Sequence, residues 1–432
     1  MSVTRVGVHR LVRILRRGAR VLLLVLAAIG AGFGATLGAA RLAPRPAVFL
    51  PAGLALVTVV AAAGCWLVLR GQPRHRRARS TVLSAALLLV VTTLAVTTSL
   101  PDHPATPPPV PGLAYWQLDT GSRLAYVKRA GTGPVRSTPV VVLHGGPGIP
   151  DMAGDVAFFG QLAGLGFDVY VYDQLGAGSS TRLTGPTGYS IDRDVADLEQ
   201  IRRVIGAEQM ILIGHSYGAG LAAHYLAGHP GRVAKLVLSS PAPIDPADRS
   251  SDRATAGLEV GPRLRSYVAA LAPRALLGYA LLQVNPVAAH AYLGDAEADA
   301  RNDTILTITA PALHCSPQLV SPVHGSGFYA LQYPQSATAH PPRDIRPALT
   351  GLPTPTLIFK GSCDYLSWHS ATTYRQALPD SELIYLPGAG HNTYQDQPGA
   401  VINAIRAFLT AQTPPQAPYQ PTTPPDGYQG PP

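Results

Sequence analysis

The sequence predicts an α/β protein with a mainly parallel sheet, preceded by three transmembrane helices. Three observations lead there. The first hundred residues contain three long runs without an acid or a base, 21–40, 47–69 and 81–100. Beyond residue 113, short apolar β-prone runs alternate with amphipathic stretches, the pattern of crossover units. A third feature, Gly214-His215-Ser216-Tyr217-Gly218, sits between an apolar run and a helical stretch.

Each apolar run reaches the roughly 20 residues that a helix needs to cross a bilayer. Charge orients them. Residues 1–100 hold 13 arginines and no acid, while the rest of the chain holds 21 basic and 25 acidic residues. The net charge of +9 therefore reports a basic membrane-proximal segment, which excludes a basic nucleic-acid-binding surface. Arg5, Arg10, Arg13, Arg16, Arg17 and Arg20 precede the first run, and Arg70, Arg74, Arg76, Arg77 and Arg79 separate the second from the third. Basic residues stay on the cytoplasmic side. The expectation is a multi-pass cell-membrane protein with its amino terminus inside and the catalytic domain outside. A signal peptide is the competing reading of the start, and the two further runs argue against it. Gly30, Gly34 and Gly38 form a small-residue stripe in the first run that permits close helix contact.

Residues 101–113 read as a proline-rich linker and 412–432 as a disordered Pro-rich tail. Residues 114–411 form the catalytic domain. Expected strands are Leu124–Lys128, Pro139–Leu143, Val169–Tyr172, Met210–Ile213, Leu236–Leu238, Thr356–Phe359 and Leu383–Leu386. Expected helices are Ala153–Leu165, Asp192–Ile205, Tyr217–Ala227, Thr372–Ala377 and Gly399–Thr410. Residues 242–350 break the alternation and read as a helix-prone, proline-containing insertion between two core strands.

The Gly-x-Ser-x-Gly motif needs a strand before it and a helix after it, and Met210–Ile213 and Tyr217–Ala227 supply them. The turn would expose the Ser216 hydroxyl at a helix amino terminus, where developing negative charge is favoured. A serine needs a base, and the base an orienting acid. Asp364 follows the run TLIFKG and His391 follows LIYLP, which gives the chain order serine, acid, histidine. In a parallel sheet both residues would share the serine's edge. His144-Gly145-Gly146-Pro147-Gly148 follows another apolar run. Its backbone suits an oxyanion hole, assigned to the amides of Gly146 and Tyr217. His144, Gly145, Pro147 and Gly148 would support that loop.

These motifs, with Tyr172-Asp173-Gln174-Leu175-Gly176-Ala177-Gly178-Ser179 and GHSYGA at 214–219, resemble the α/β-hydrolase superfamily and, within it, the proline iminopeptidase-like serine peptidases. The resemblance spans about residues 113–410. It implies the α/β-hydrolase fold, with helices on both faces of the sheet, and the triad Ser216, Asp364 and His391 under a helical cap, where the 242–350 insertion falls. It also implies cap carboxylates that hold a substrate amine, often beside tryptophan. The cap's glutamates are Glu259 and Glu297, and the tryptophans Trp66, Trp116 and Trp368 all lie outside it. The resemblance thus carries reaction type further than substrate.

The expected function is a membrane-anchored serine peptidase acting on short peptides or amino-acid amides. A carboxylesterase or lipase with the same triad is the alternative, and a non-catalytic membrane adaptor a third reading. An epoxide hydrolase is disfavoured because Ser216 stands where those relatives place aspartate. The expected partners are a small substrate and the lipid bilayer, with no cofactor, metal or nucleic acid. Cys315 and Cys363 lie in the part expected outside, where a bridge between them is permitted.

Overall fold

The computed structural model describes residues 3–98, 109–316, 323–341 and 343–432. In chain order the elements are helices α1 (Val3–Leu42), α2 (Pro46–Val68) and α3 (Arg74–Thr97), then strands β1 (Leu113–Gln117), β2 (Arg123–Arg129) and β3 (Val140–Leu143). Helix α4 (Met152–Phe159), β4 (Val169–Tyr172), α5 (Ile191–Val204), β5 (Met210–His215), α6 (Tyr217–Gly228) and β6 (Val233–Ser239) follow. The stretch between β6 and the next strand carries α7 (Val260–Ala270), α8 (Pro273–Leu282), α9 (Pro286–Tyr292), α10 (Asp295–Thr309), α11 (Phe328–Gln332) and α12 (Arg346–Leu349). The chain ends with β7 (Thr356–Gly361), α13 (Trp368–Ala377), β8 (Ser381–Leu386), α14 (Thr393–Asp396) and α15 (Pro398–Leu409). Two compact units result, Met1–Pro101 with Leu271–Gly294, and Asp102–Ala270 with Asp295–Pro432.

In the first unit, Leu15–Leu42, Pro46–Val68 and Arg74–Thr97 are long and apolar enough to be candidate membrane spans. They meet on small residues, with Ala28, Val57, Ala61 and Ala85 buried together, as suits helices that pack without a hydrophobic drive. The expected glycine stripe is not that contact. A Cβ on Gly30, Gly34 or Gly38 would meet nothing, whereas one on Gly32 would lie 2.8 Å from the Gly53 carbonyl oxygen. The close approach uses the adjacent helix face. At the other end of α2, Arg77 donates to the Trp66 carbonyl and lies 3.7 Å from its ring centre.

Helices α8 and α9 belong to this unit, which corrects the expectation that 242–350 is one cap. Arg274 and Tyr292 both donate to the Val96 carbonyl, Asn285 donates to the Ala40 carbonyl, and Tyr292 meets the Phe49 ring edge-on. The last turns of α1 and α3 leave carbonyls without helical partners, and these side chains satisfy carbonyls near both ends.

In the second unit one eight-stranded sheet runs β1-β2-β4-β3-β5-β6-β7-β8. Strands β1, β2 and β4 pair antiparallel, and β4 through β8 pair parallel. Alternate residues Val140, Val142, Ile211, Ile213, Leu357 and Phe359 face one buried layer, covered by Met152, Val156 and Phe159 of α4 and Val401, Ile405 and Leu409 of α15. The seven expected strands form. Strand β1 was not expected; it is an edge strand in which only Trp116 is buried, so its alternation is weak. The expected helix 153–165 stops at Phe159 and continues as a tighter 3₁₀ turn over Gly160–Leu165.

Of the proline-rich linker, 101–108 lie outside the described residues. The tail contradicts its expected disorder. The Tyr419 amide donates to the Leu383 carbonyl, the Gln429 amide to Ser362 and the Trp368 amide to Pro431. Trp368 also donates through its indole to Thr422, and Tyr419 and Tyr428 pack edge-on against its ring at 5.4 and 5.2 Å. Two aromatic anchors and a line of backbone bonds offset the ordering entropy that proline-rich composition alone suggests is unmet. Ending the chain at Gln412 should uncover Trp368 and cost about 2 kcal/mol or more, at about 1 kcal/mol per lost hydrogen bond. Thermal unfolding of both forms in detergent measures this, and equal midpoints would restore the disordered tail.

Candidate active site

The register of the sheet collects the motifs. Leu143 pairs with Gly214, His215 with Ser239, Ser239 with Phe359 and Gly361 with Leu386. The loops that begin at His144, Ser216, Ser362 and Pro387 therefore leave one edge, at the carboxyl ends of parallel strands.

Ser216 sits between β5 and α6 with φ 52° and ψ −115°, a left-handed conformation that a side chain seldom adopts. The flanking glycines make the turn feasible. A Cβ on Gly214 would lie 2.3 Å from the Gly218 carbonyl oxygen, and one on Gly218 would lie 2.1 Å from the Leu143 oxygen. The Ser216 amide donates to Ser239 and its carbonyl accepts from Ala219, Gly220 and Ala242, so the strained turn is fixed on several sides. The Tyr217 hydroxyl donates to Asp194 at 2.6 Å, tying α6 to α5. Burial pushes Asp194 up to about 7.

His391 and Asp364 come together as expected, with His391 Nδ1 to Asp364 Oδ1 at 2.8 Å. Sequence reasoning missed the partner on the other side of the acid. Lys360 is fully buried within β7, and its Nζ donates to Asp364 Oδ2 at 2.8 Å and to the Leu366 carbonyl. Burial by itself would raise the Asp364 carboxyl. The Lys360 ammonium and then His391 more than reverse this and hold it below the usual carboxylate range. Lys360 is lowered by burial, with Asp364 opposing. A lysine in an apolar strand reads as a solvated end until the fold buries it.

Two rings flank His391. His215 lies 4.9 Å from it and Tyr365 4.5 Å, centre to centre. Tyr365 lies near Ser216; burial, then the Asp364 charge, raises its phenol, so it stays protonated. Tyr365 follows the acid directly in sequence, and no motif marks it.

His144 is buried, with Nδ1 bonded to the Gly145 carbonyl and Nε2 accepting from the Gln174 amide. The Gln174 side chain donates to the His144 carbonyl. Burial lowers His144 to about 4, so the ring is neutral near pH 7 and braces the loop Gly145–Gly148 against the Asp173-Gln174 turn. Among the described residues, no protein group accepts from the amides of Gly146 or Tyr217, which leaves both available to an oxyanion. Glu297 pairs with Arg301 at 2.8 Å and Glu259 is exposed, so neither is presented as a free carboxylate in a pocket.

A second buried histidine–acid pair splints the site. His314 Nδ1 lies 2.6 Å from Asp396 Oδ1, and Asp396 Oδ2 accepts from the amides of Gly390 and Cys315. The Asn392 amide donates to Leu313, and a Cys315–Cys363 disulfide forms, with Cα atoms 5.4 Å apart. Residues 313–315 thus hold the loops of both His391 and Asp364.

Replacing Lys360 by Met leaves Asp364 a buried charge with one partner fewer and should destabilise the protein by about 3–5 kcal/mol. The Asp364 contribution to stability is present above the ordinary carboxyl value of about 4 and lost as pH falls through its lower folded value. Raising the folded value by removing Lys360 narrows that difference, so thermal unfolding against pH should show a smaller acid-side loss in Lys360→Met, on a lower baseline stability. A second expected outcome concerns the bridge. Changing Cys315 and Cys363 together to Ser should cost about 2–4 kcal/mol, read as a lower denaturation midpoint; an unchanged midpoint would show that the splint does not need the bridge.

Comparison with known proteins agrees with this architecture. A family model described as alpha/beta hydrolase fold matches residues 138–398. The chain is 40% identical over 124 residues to a proline iminopeptidase of Heyndrickxia coagulans, a stretch that covers 28% of this chain and 41% of that protein, less than two thirds of its length. It is 30% identical over 279 residues to the human 1-acylglycerol-3-phosphate O-acyltransferase ABHD5, covering 60% of this chain and 74% of that one. The solved epoxide hydrolase CorEH superposes with a TM-score of 0.50 at 19% identity, over 69% of this chain and 98% of that one. Strand order, elbow and matched span agree: the chain belongs to the alpha/beta hydrolase fold family.

Proposed function

We propose that this hydrolase is a membrane-anchored serine enzyme that works through an acyl-enzyme. The observation that carries the reading is the strained Ser216 elbow at the amino terminus of α6, on the same sheet edge as the 2.8 Å His391–Asp364 pair. Ser216 attacks the acyl carbon. His391 accepts the serine proton and returns it to the leaving group, and Asp364, held charged by Lys360, fixes the imidazole tautomer and balances its positive form. The tetrahedral oxyanion accepts from the amides of Gly146 and Tyr217. Water, activated by His391, then frees the acyl group.

For the substrate, the HGGPG loop and the proline iminopeptidase relative favour short peptides or amino-acid amides. The engaged Glu297 and exposed Glu259 weaken the free-amine part of that reading. A second reading keeps the machinery and takes carboxylic esters; the acyltransferase relative favours it. For the orientation, the arginine-rich flanks and the Cys315–Cys363 bridge support a catalytic unit in an oxidising exterior with the amino terminus in the cytoplasm.

Ser216→Ala should abolish labelling by a fluorophosphonate probe and lower turnover by about 10³-fold or more. Persistent labelling would remove Ser216 as the nucleophile. Prolyl and alanyl aryl-amides assayed beside short-chain aryl esters separate the substrates: amide turnover upholds the peptidase, and ester turnover alone defeats it. Inertness of the folded protein to both the probe and the substrates would favour an adaptor.

A further inference from the structure

Helix α7 is built inside out. Of its residues only Ser266 is buried. Val260, Leu264, Tyr267 and Val268, with Leu271 just beyond the helix, are 80, 61, 55, 66 and 61% exposed. At 100° per residue these five fall within an arc of about 100°, the width of an amphipathic helix's buried stripe. Here the stripe faces outward.

We propose that this face of α7 lies in the interfacial layer of a lipid bilayer, as a second membrane contact beyond the three spans. Exposed Arg265 borders the stripe on one side, the placement from which a long cationic side chain reaches headgroups while its stem covers apolar surface; Arg263, on the other side, donates to the Ala256 and Leu258 carbonyls. Residues 260–294 carry three arginines and no acid, although the chain after residue 100 is net acidic. That suits an anionic lipid surface and not a basic protein partner.

Depth comes from the next element. Only Leu271 and Ala272 separate α7 from α8. Helices α8 and α9 bond to carbonyls in the last turns of α1 and α3 through Arg274, Asn285 and Tyr292. In a chain whose spans end there, α8 lies at headgroup level, and its Leu276 and Tyr279 are exposed as well. Two residues of extended chain reach about 7 Å, so the carboxyl end of α7 cannot leave that layer. An interfacial helix buries its apolar face about 5–10 Å into the boundary between headgroups and acyl chains. The inference rests on reading α1–α3 as spans, not on the catalytic assignment.

The test uses the full chain with Cys65→Ala, the disulfide intact, in nanodiscs of phosphatidylcholine and phosphatidylglycerol. An environment-sensitive fluorophore is attached at Leu264→Cys or Val268→Cys, with Val135→Cys as an exposed control and Leu87→Cys as a control on the lipid-facing side of α3. All four are surface positions, so the core is undisturbed. Emission at 264 and 268 should shift to the blue, and a nitroxide near the acyl carbonyls should quench it more than one deep in the chains. Position 135 should do neither, and position 87 should respond to the deep nitroxide. Water-like emission at 264 and 268, with position 87 quenched, overturns the proposal. So does a blue shift there without nitroxide quenching, which would give the face to a protein. Loss of quenching at 87 would instead sink the reading of the spans.

Discussion

The backbone register of the parallel strands is the constraint on which the site depends. Six strands leave their carboxyl ends on one edge, and Ser216, Asp364, His391 and His144 are each the first or second polar group beyond such an end. A slip of one residue in β7 against β8 would turn every side chain of the slipped strand to the opposite face. It would turn Lys360 to the other buried face, away from Asp364, and Asp364 away from His391. The apolar layer of Val140, Ile211, Leu357 and Phe359 specifies that register, because any other would bury the wrong set.

On this edge the energetics are those of buried charge. Asp364 and Lys360 are both removed from water, at a desolvation cost that only close, fully bonded geometry offsets. Each has several partners: His391 and the Leu366 amide for the acid, the Leu366 carbonyl and Asp364 for the lysine. The His314–Asp396 pair and the disulfide then fix the two loops from outside. The arrangement fixes the orientation of the imidazole, the condition that the proposed base needs.

Between β6 and β7 the chain does two things. Helix α10 is joined to the Asp173–Ser179 turn through Arg182 to Asp299, and Asp303 accepts from the amides of Gly325 and Ser326. The 271–294 segment instead joins the N-terminal helices. The insertion is therefore not a free-standing cap, and a chain reading based on composition alone treats both parts as one because both are helical and irregular.

By itself the sequence determined what local pattern and chain order can encode. The apolar runs, the alternation of strands and helices, the Gly-x-Ser-x-Gly elbow, and His391 and Asp364 as a pair all depend on neighbours close in sequence or on order along the chain. Tertiary structure alone decided the partners whose meaning comes from burial. Lys360 became an internal counter-ion, Tyr365 a neighbour of Ser216, and His314 with Asp396 a splint, because residues far apart along the chain were brought together, His314 and Asp396 from 82 positions apart. The tail and the glycine stripe changed for the same reason. Proline content and small-residue spacing state what a segment tolerates, and only the surface it meets decides whether Trp368 is covered or which face of α1 makes the contact.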